Sequence, residues 1–143
     1  MLRNIDPILS PDLLQALRAM GHGDEIVIAD ANFPGESIGP RCLRADGSST
    51  TEMLRAVLSV LPLDTFVPDP VHAMEVVGDP AAIPEVVAAC QRIVDDIADN
   101  PAPIALLERF AFYDRARSAF VIVQTGERRL YGCLFLKKGV LLA

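Results

Sequence analysis

Segments with helical periodicity alternate with short apolar runs along this chain, and that alternation restricts the fold more than any other feature. Ser10-Pro11 opens a helix. A serine hydroxyl accepts an orphan amide there, and a proline at the first helical position forgoes no hydrogen bond. Leu13, Leu14, Leu17 and Met20 recur at helical spacing, and Gly21 stops the helix. Glu25 to Ala29 (EIVIA) is short and apolar, and reads as a buried strand. Across residues 31–40, Asn32, Pro34, Gly35, Gly39 and Pro40 mark a loop.

The same alternation continues downstream. Thr50 to Leu61 is a second helix with Met53, Leu54, Val57, Leu58 and Leu61 on one stripe, ended by Pro62. Ala73 to Val77 reads as a strand ahead of the Gly78-Asp79-Pro80 turn. Pro84 to Ala98 and Ile104 to Ala119 read as a third and a fourth helix. Phe120 to Val123 and Leu130 to Leu136 read as strands around a turn at Gly126. No repeat, low-complexity tract or long linker interrupts the 143 residues. The expectation is one α/β domain over residues 1–143, a mixed sheet covered by helices. With 51% of residues apolar, the chain can bury a real core. The tail Val140-Leu141-Leu142 is apolar to its end, which calls for something to pack on, a second subunit for instance.

Charge and cysteine usage narrow the function classes. Acidic residues outnumber basic ones 19 to 13, and the only basic pairs are Arg128-Arg129 and Lys137-Lys138. A nucleic-acid or anionic-membrane partner, which needs a basic stripe, is therefore not expected. No apolar run approaches the roughly 20 residues that span a bilayer. The start MLRNIDPILSPDLL is broken by Asp6, Pro7, Pro11 and Asp12 where a secretion signal would be apolar. Cys42, Cys90 and Cys133 are odd in number and form no CxxC, which fits a reducing compartment, and the cytoplasm is the expected address.

Two histidines are present. His22 stands between Gly21 and Gly23 at a helix-to-strand corner, with Asp24 beside it and Asp30 just past the strand. An imidazole on an open corner suits general acid–base work; equally, it suits a cation capping a helix C-terminus. His72, in PDPVHAM, reads as a loop or rim residue before a strand. GHG is not a dinucleotide fingerprint, because it follows a helix, precedes a strand and has Ile26 where a third glycine belongs. His22, Asp24 and Asp30 make a poor metal ligand set without HxH, HExxH or paired cysteines, so neither metal nor cofactor is expected. Asp30 and Asp64 each sit where a ligand carboxylate or a turn-capping aspartate would. Tyr113, with Glu108 and Arg109 one turn away, reads as a core-edge aromatic. Tyr131, beside Gly132 at a strand start, reads as either a ligand contact or a packed residue at a bulge.

Four motifs in register then point to a family. Met20 to Pro34 (MGHGDEIVIADANFP), Val60 to Phe66 (VLPLDTF), Glu108 to Ala116 (ERFAFYDRA) and Thr125 to Val140 (TGERRLYGCLFLKKGV) resemble the L-fucose mutarotase family, kin of D-ribose pyranase. The resemblance runs from Leu9-Ser10-Pro11 to the C-terminus. It implies a cofactor-free isomerase that interconverts sugar anomers, with His22 as general acid and Asp64 and Tyr131 also in the catalytic set. The substrate contacts it implies are Asp30, Asp64, Met74, Arg109, Tyr113 and Tyr131, with Cys133 completing the motif. It also implies a homo-oligomer, a decameric ring whose sites are completed by a neighbouring subunit. D-ribose pyranose–furanose exchange and a non-catalytic sugar-binding ring are the alternatives.

One position departs from the family pattern. Where Tyr-Gly-Asn is usual, this chain has Tyr131-Gly132-Cys133. A thiol donates and accepts hydrogen bonds more weakly than an amide.

The chemistry implied is acid–base only. The anomeric hydroxyl loses a proton, the ring oxygen gains one, the C1–C2 bond of the open aldehyde rotates, and the ring recloses. Asp30 would orient His22 or bind a sugar hydroxyl, and the general base is unassigned.

Overall fold

The chain folds around a six-stranded mixed sheet; the structure is a computed structural model that describes residues 1–39 and 41–142. Strands are β1 (Glu25–Ala29), β2 (Arg41–Ala45), β3 (Val71–Met74), β4 (Ala105–Leu107), β5 (Val121–Thr125) and β6 (Leu134–Lys137). Helices are α1 (Pro11–Ala19), α2 (Gly35–Ile38), α3 (Thr50–Leu58), α4 (Glu85–Ile97) and α5 (Arg109–Ala116). The strand order is β2-β5-β1-β6-β3-β4. β6 runs antiparallel to its neighbours β1 and β3, whereas β1, β2 and β5 pair in parallel, as do β3 and β4. The carboxyl ends of β1 to β5 therefore share one edge of the sheet, and β6 begins at that same edge.

Strand alternation sorts the core into two layers. Ile26, Ile28, Val121, Val123, Leu134 and Leu136 face one side and pack with the buried residues of α1, α3 and α4. Val27, Ala29, Ile122 and Phe135 face the other side, with Phe33 and the α5 residues Phe112 and Ala116. Phe112 and Phe135 are both fully buried, with ring centroids 4.5 Å apart. Phe112 is the anchor of α5, so Phe112→Ala is expected to destabilise the fold by about 3–5 kcal/mol. A denaturant titration reads this directly.

Several local expectations change. The 31–40 loop holds the short helix α2; Pro40 lies outside the described residues. The second helix ends at Leu58, after which Val60 and Leu61 turn back onto the Val57 carbonyl. The third strand spans Val71–Met74, not Ala73–Val77, so His72 lies within a strand and is half-buried rather than on a loop. The fourth helix divides. Residues 105–107 pair with β3, and the Glu108 carboxylate caps α5 by accepting the amides of Phe110 (2.8 Å) and Ala111 (3.1 Å). β2, unassigned from the sequence, is an edge strand whose arginines blur its pattern. In the single chain the C-terminal tail is uncovered, with Leu141 80% and Leu142 88% exposed.

Candidate active site

The sequence-derived candidates fall into two groups at opposite edges of the sheet. At the amino end of β1, the His22 Nε2 lies 3.1 Å from Asp64 Oδ1. The segment carrying Asp64 is fixed by β6: Leu63 bridges Lys138, and the Asp64 amide donates to the Lys137 carbonyl. Gly139 permits that approach, since a Cβ there would collide with the Leu63 carbonyl. Burial pushes the Asp64 carboxyl up, but the Phe66 amide, the His22 ring and Lys137 outweigh burial and hold it below its ordinary value. An ionised carboxylate only accepts, so Nε2 carries the proton and Nδ1 is left free to exchange one. The His22 side chain is 45% exposed while that of Asp64 is 3% exposed. Phe66 leans on the imidazole at 5.1 Å between centroids, and it is itself well exposed.

At the carboxyl edge, a cavity of about 190 Å³ is lined by Asp30, Arg109, Tyr113, Tyr131, Cys133 and Met74, among others. Asp30 follows β1, Met74 ends β3, Arg109 and Tyr113 lie on α5 just after β4, and Tyr131 and Cys133 precede β6. Ligands in α/β proteins bind in this place, outside the carboxyl ends of the strands. Gln124 fixes the Asp30–Phe33 turn from beneath the strand ends, its amide nitrogen donating to the carbonyls of Asp30 (3.0 Å) and Phe33 (2.6 Å). Tyr113 stands edge-on to Phe33 at 5.4 Å. Among the described residues, the Arg109 Nε has no hydrogen-bond partner although it is buried.

Asp30 does not orient His22. β1 separates them by on the order of 20 Å, and Asp64 has that role. For the same reason His22, Asp24 and Asp30 do not converge; the Asp24 carboxylate instead accepts the Gly21 amide at 2.7 Å. Tyr131 does not open a strand. It occupies a turn at φ 64°, a left-handed conformation rare for a side chain of this size, and its Oη accepts the Val77 amide at 3.2 Å. Gly132 beside it is required sterically, because a Cβ would sit 2.8 Å from Glu127 Cγ.

Cys133 is buried against Asp30. Its Sγ accepts the Asp30 amide, and its S–H donates to Asp30 Oδ2, both at 3.3 Å. Burial and the adjacent Asp30 charge push the thiol far up, so it remains a donor. The same Asp30 carboxylate also accepts the Asn32 amide at 2.9 Å. Asn32, Phe33 and Leu130 line the cavity although the sequence did not single them out. Their signal was adjacency to Asp30 and Tyr131.

The turn carrying Tyr131 rests on Glu127, whose carboxylate accepts the Arg129 amide (2.9 Å) and the guanidinium nitrogens Nε (2.9 Å) and Nη2 (2.7 Å). These bonds, against burial, hold the Glu127 carboxyl down from 4.5 to about 2. A carboxyl depressed on folding stabilises the fold above its unfolded value and loses that contribution as pH falls through its folded value. The melting-temperature gap between wild type and Glu127→Gln is therefore expected to be widest above pH 4.5 and to close toward about pH 2. A constant gap across that range would contradict it.

Fold and cavity together define an α/β protein with a small polar-ligand site at the carboxyl edge of its sheet. Residues 3–141 match the RbsD / FucU transport protein family, and the chain belongs to that family. It is 40% identical to the fucose mutarotase of Streptococcus pneumoniae solved with L-fucose, covering 99% of this chain and 100% of that one, TM-score 0.91. FucU from Bifidobacterium longum is 43% identical over 98% of this chain and 100% of its own, TM-score 0.90. Protein Atu2016, for which sugar binding has been suggested, is 46% identical over 99% of this chain and 97% of its own, TM-score 0.94. Among the described residues, no helix is long and apolar enough to cross a membrane.

Proposed function

We propose that the chain is an L-fucose mutarotase, active as a closed ring in the cytoplasm. The observation that carries this reading is the division of acid–base and sugar-binding groups between two edges of one sheet. A single copy holds a proton-exchanging imidazole on the His22–Asp64 pair and, on the order of 20 Å away, a cavity with a carboxylate, an unpaired guanidinium nitrogen and two phenols. Head-to-tail contact between copies brings the two halves together, and a heterologous contact of this kind closes into rings, a decamer by family resemblance. Val77 (60% exposed), Leu130 (68%) and Phe110 (61%) surround the cavity with apolar surface that such a contact would cover.

In this assembly the sugar lies in the cavity of one copy and meets His22 of the next. His22, as an imidazolium whose Nε2–H stays on Asp64, gives its Nδ1 proton to the ring oxygen, and Asp30, the carboxylate of the cavity, takes the proton of the anomeric hydroxyl. The C1–O5 bond breaks, the C1 aldehyde rotates, and reclosure reverses both transfers. Arg109 and Tyr113 bind ring hydroxyls, and Tyr131 donates to the anomeric oxygen. Asp64 acts through His22 as a positioning residue, fixing the tautomer. Cys133 acts through Asp30.

The 40% identity to the Streptococcus pneumoniae fucose mutarotase supports L-fucose over D-ribose. The Bacillus subtilis RbsD solved with D-ribose shares the fold at 21% identity, TM-score 0.76, covering 99% of this chain and all of its own. Anomer exchange measured on both sugars is the test. Faster exchange of L-fucose than of D-ribose is expected; the reverse order would move the assignment to ribose. Saturable fucose binding without exchange would leave a binding protein.

A further inference from the structure

We propose that Thr50 and Thr125 are positioning residues that hold Asp30 and Tyr131 in place through their hydroxyl groups. The inference rests on the sugar-site reading above and adds two residues that touch no sugar. Both threonines are fully buried, behind the cavity and outside its lining. Thr50 is the first residue of α3, yet the helix does not need its hydroxyl. Ser49 caps α3 by accepting the Glu52 amide, and the Glu52 carboxylate returns to the Ser49 amide. The Thr50 hydroxyl instead donates to the Gly132 carbonyl at 2.7 Å. Thr125 ends β5, and its hydroxyl donates to the Ala29 carbonyl at 2.8 Å while accepting the Glu127 amide at 3.2 Å.

Those two carbonyls have specific neighbours. Gly132 C=O belongs to the peptide entering Cys133 and immediately follows Tyr131. Ala29 C=O belongs to the peptide entering Asp30. The amide of that second peptide donates to Cys133 Sγ, whose proton returns to the Asp30 carboxylate. Each threonine hydroxyl has one proton, and both protons are committed to carbonyls. The 3.4 Å approach between the two Oγ1 atoms is thus packing that keeps the pair in contact. One buried hydroxyl pair thereby sets the spacing between the Asp30 segment and the left-handed Tyr131 turn. A valine in either place keeps the shape and leaves a buried carbonyl without its donor, so the segment is free to shift.

The test compares Thr50→Val, Thr50→Ser, Thr125→Val and Thr125→Ser with wild type in L-fucose anomer exchange, well below the melting temperature. Amide NMR shifts of Asp30 and Val77 are followed in parallel. Wild-type exchange alone decides the fucose reading. Given that activity, the valine variants are expected to lose about ten- to a hundredfold in kcat with a smaller change in KM. The serine variants should stay within about twofold of wild type. Asp30 and Val77 amides should move in the valine variants only. If wild type is silent on L-fucose, these amide shifts carry the test by themselves. Valine variants with wild-type kcat or unmoved amides overturn the proposal, as do serine variants as impaired as the valine ones. Valine variants that fail to fold, beside folded serine variants, would make the hydroxyls structural and overturn it too.

Discussion

Replacing His22 by alanine is expected to slow L-fucose anomer exchange by about 10²–10⁴-fold, the contribution typical of one well-placed acid–base group. Stability should hardly change. The His22 side chain is 45% exposed, its corner carries no core residue, and the Asp64 carboxylate keeps the Phe66 amide as a partner at 3.0 Å. Asp64→Asn is expected to be weaker but in the same direction, because an amide can present either a donor or an acceptor to Nε2 and no longer fixes the tautomer. Comparing kcat with melting temperature for both variants checks this. Loss of activity accompanied by equal loss of stability would assign the pair to the fold.

Mixing two inactive variants should restore activity. His22→Ala removes the proton-exchanging half at one edge of the sheet, and Asp30→Asn removes the carboxylate in the cavity at the other. If each site is built from two copies, dissociating and reassembling an equal mixture makes about a quarter of the sites intact on both sides. Either variant alone stays inactive at any concentration. Activity near a quarter of wild type in the reassembled mixture, absent from unmixed controls, is the expected result. No recovery from a mixture shown to have exchanged subunits would place both halves in one chain, contrary to the strand topology.

Much of this arrangement was legible in the sequence, for identifiable reasons. Long periodic helices with strong boundaries, such as α1 with Ser10-Pro11 and α4 after Pro84, were read nearly to the residue. β1 is legible because four apolar residues between Glu25 and Asp30 have few alternatives. Edge and short elements were not. β2 carries Arg41 and Arg44 three positions apart at the sheet edge, off the two-residue period of a strand, and β4 is three residues whose apolar run merges into the next helix. Only tertiary pairing with β3 and the Glu108 cap separates β4 from α5.

The candidate site followed the same division. Residue types and motif order picked out Asp30, Arg109, Tyr113, Tyr131 and Cys133, which the fold gathers in one cavity. That His22 pairs with Asp64 rather than Asp30 depends on β6 running antiparallel and carrying Lys137 and Lys138 to the corner. Local patterns contain nothing of that. Glu127 is only 4% exposed because the Tyr131 turn folds over it, a burial that its charged neighbours Arg128 and Arg129 do not signal.

In the proposed function, this chain opens and recloses a sugar hemiacetal without help from another protein. Magnetisation transfer between the two anomeric proton signals of equilibrated L-fucose, with a trace of the purified protein added, tests it most directly. Exchange on the NMR timescale that scales with protein concentration and disappears with His22→Ala is expected. Exchange no faster than in buffer, from protein shown by light scattering to be assembled, would contradict it.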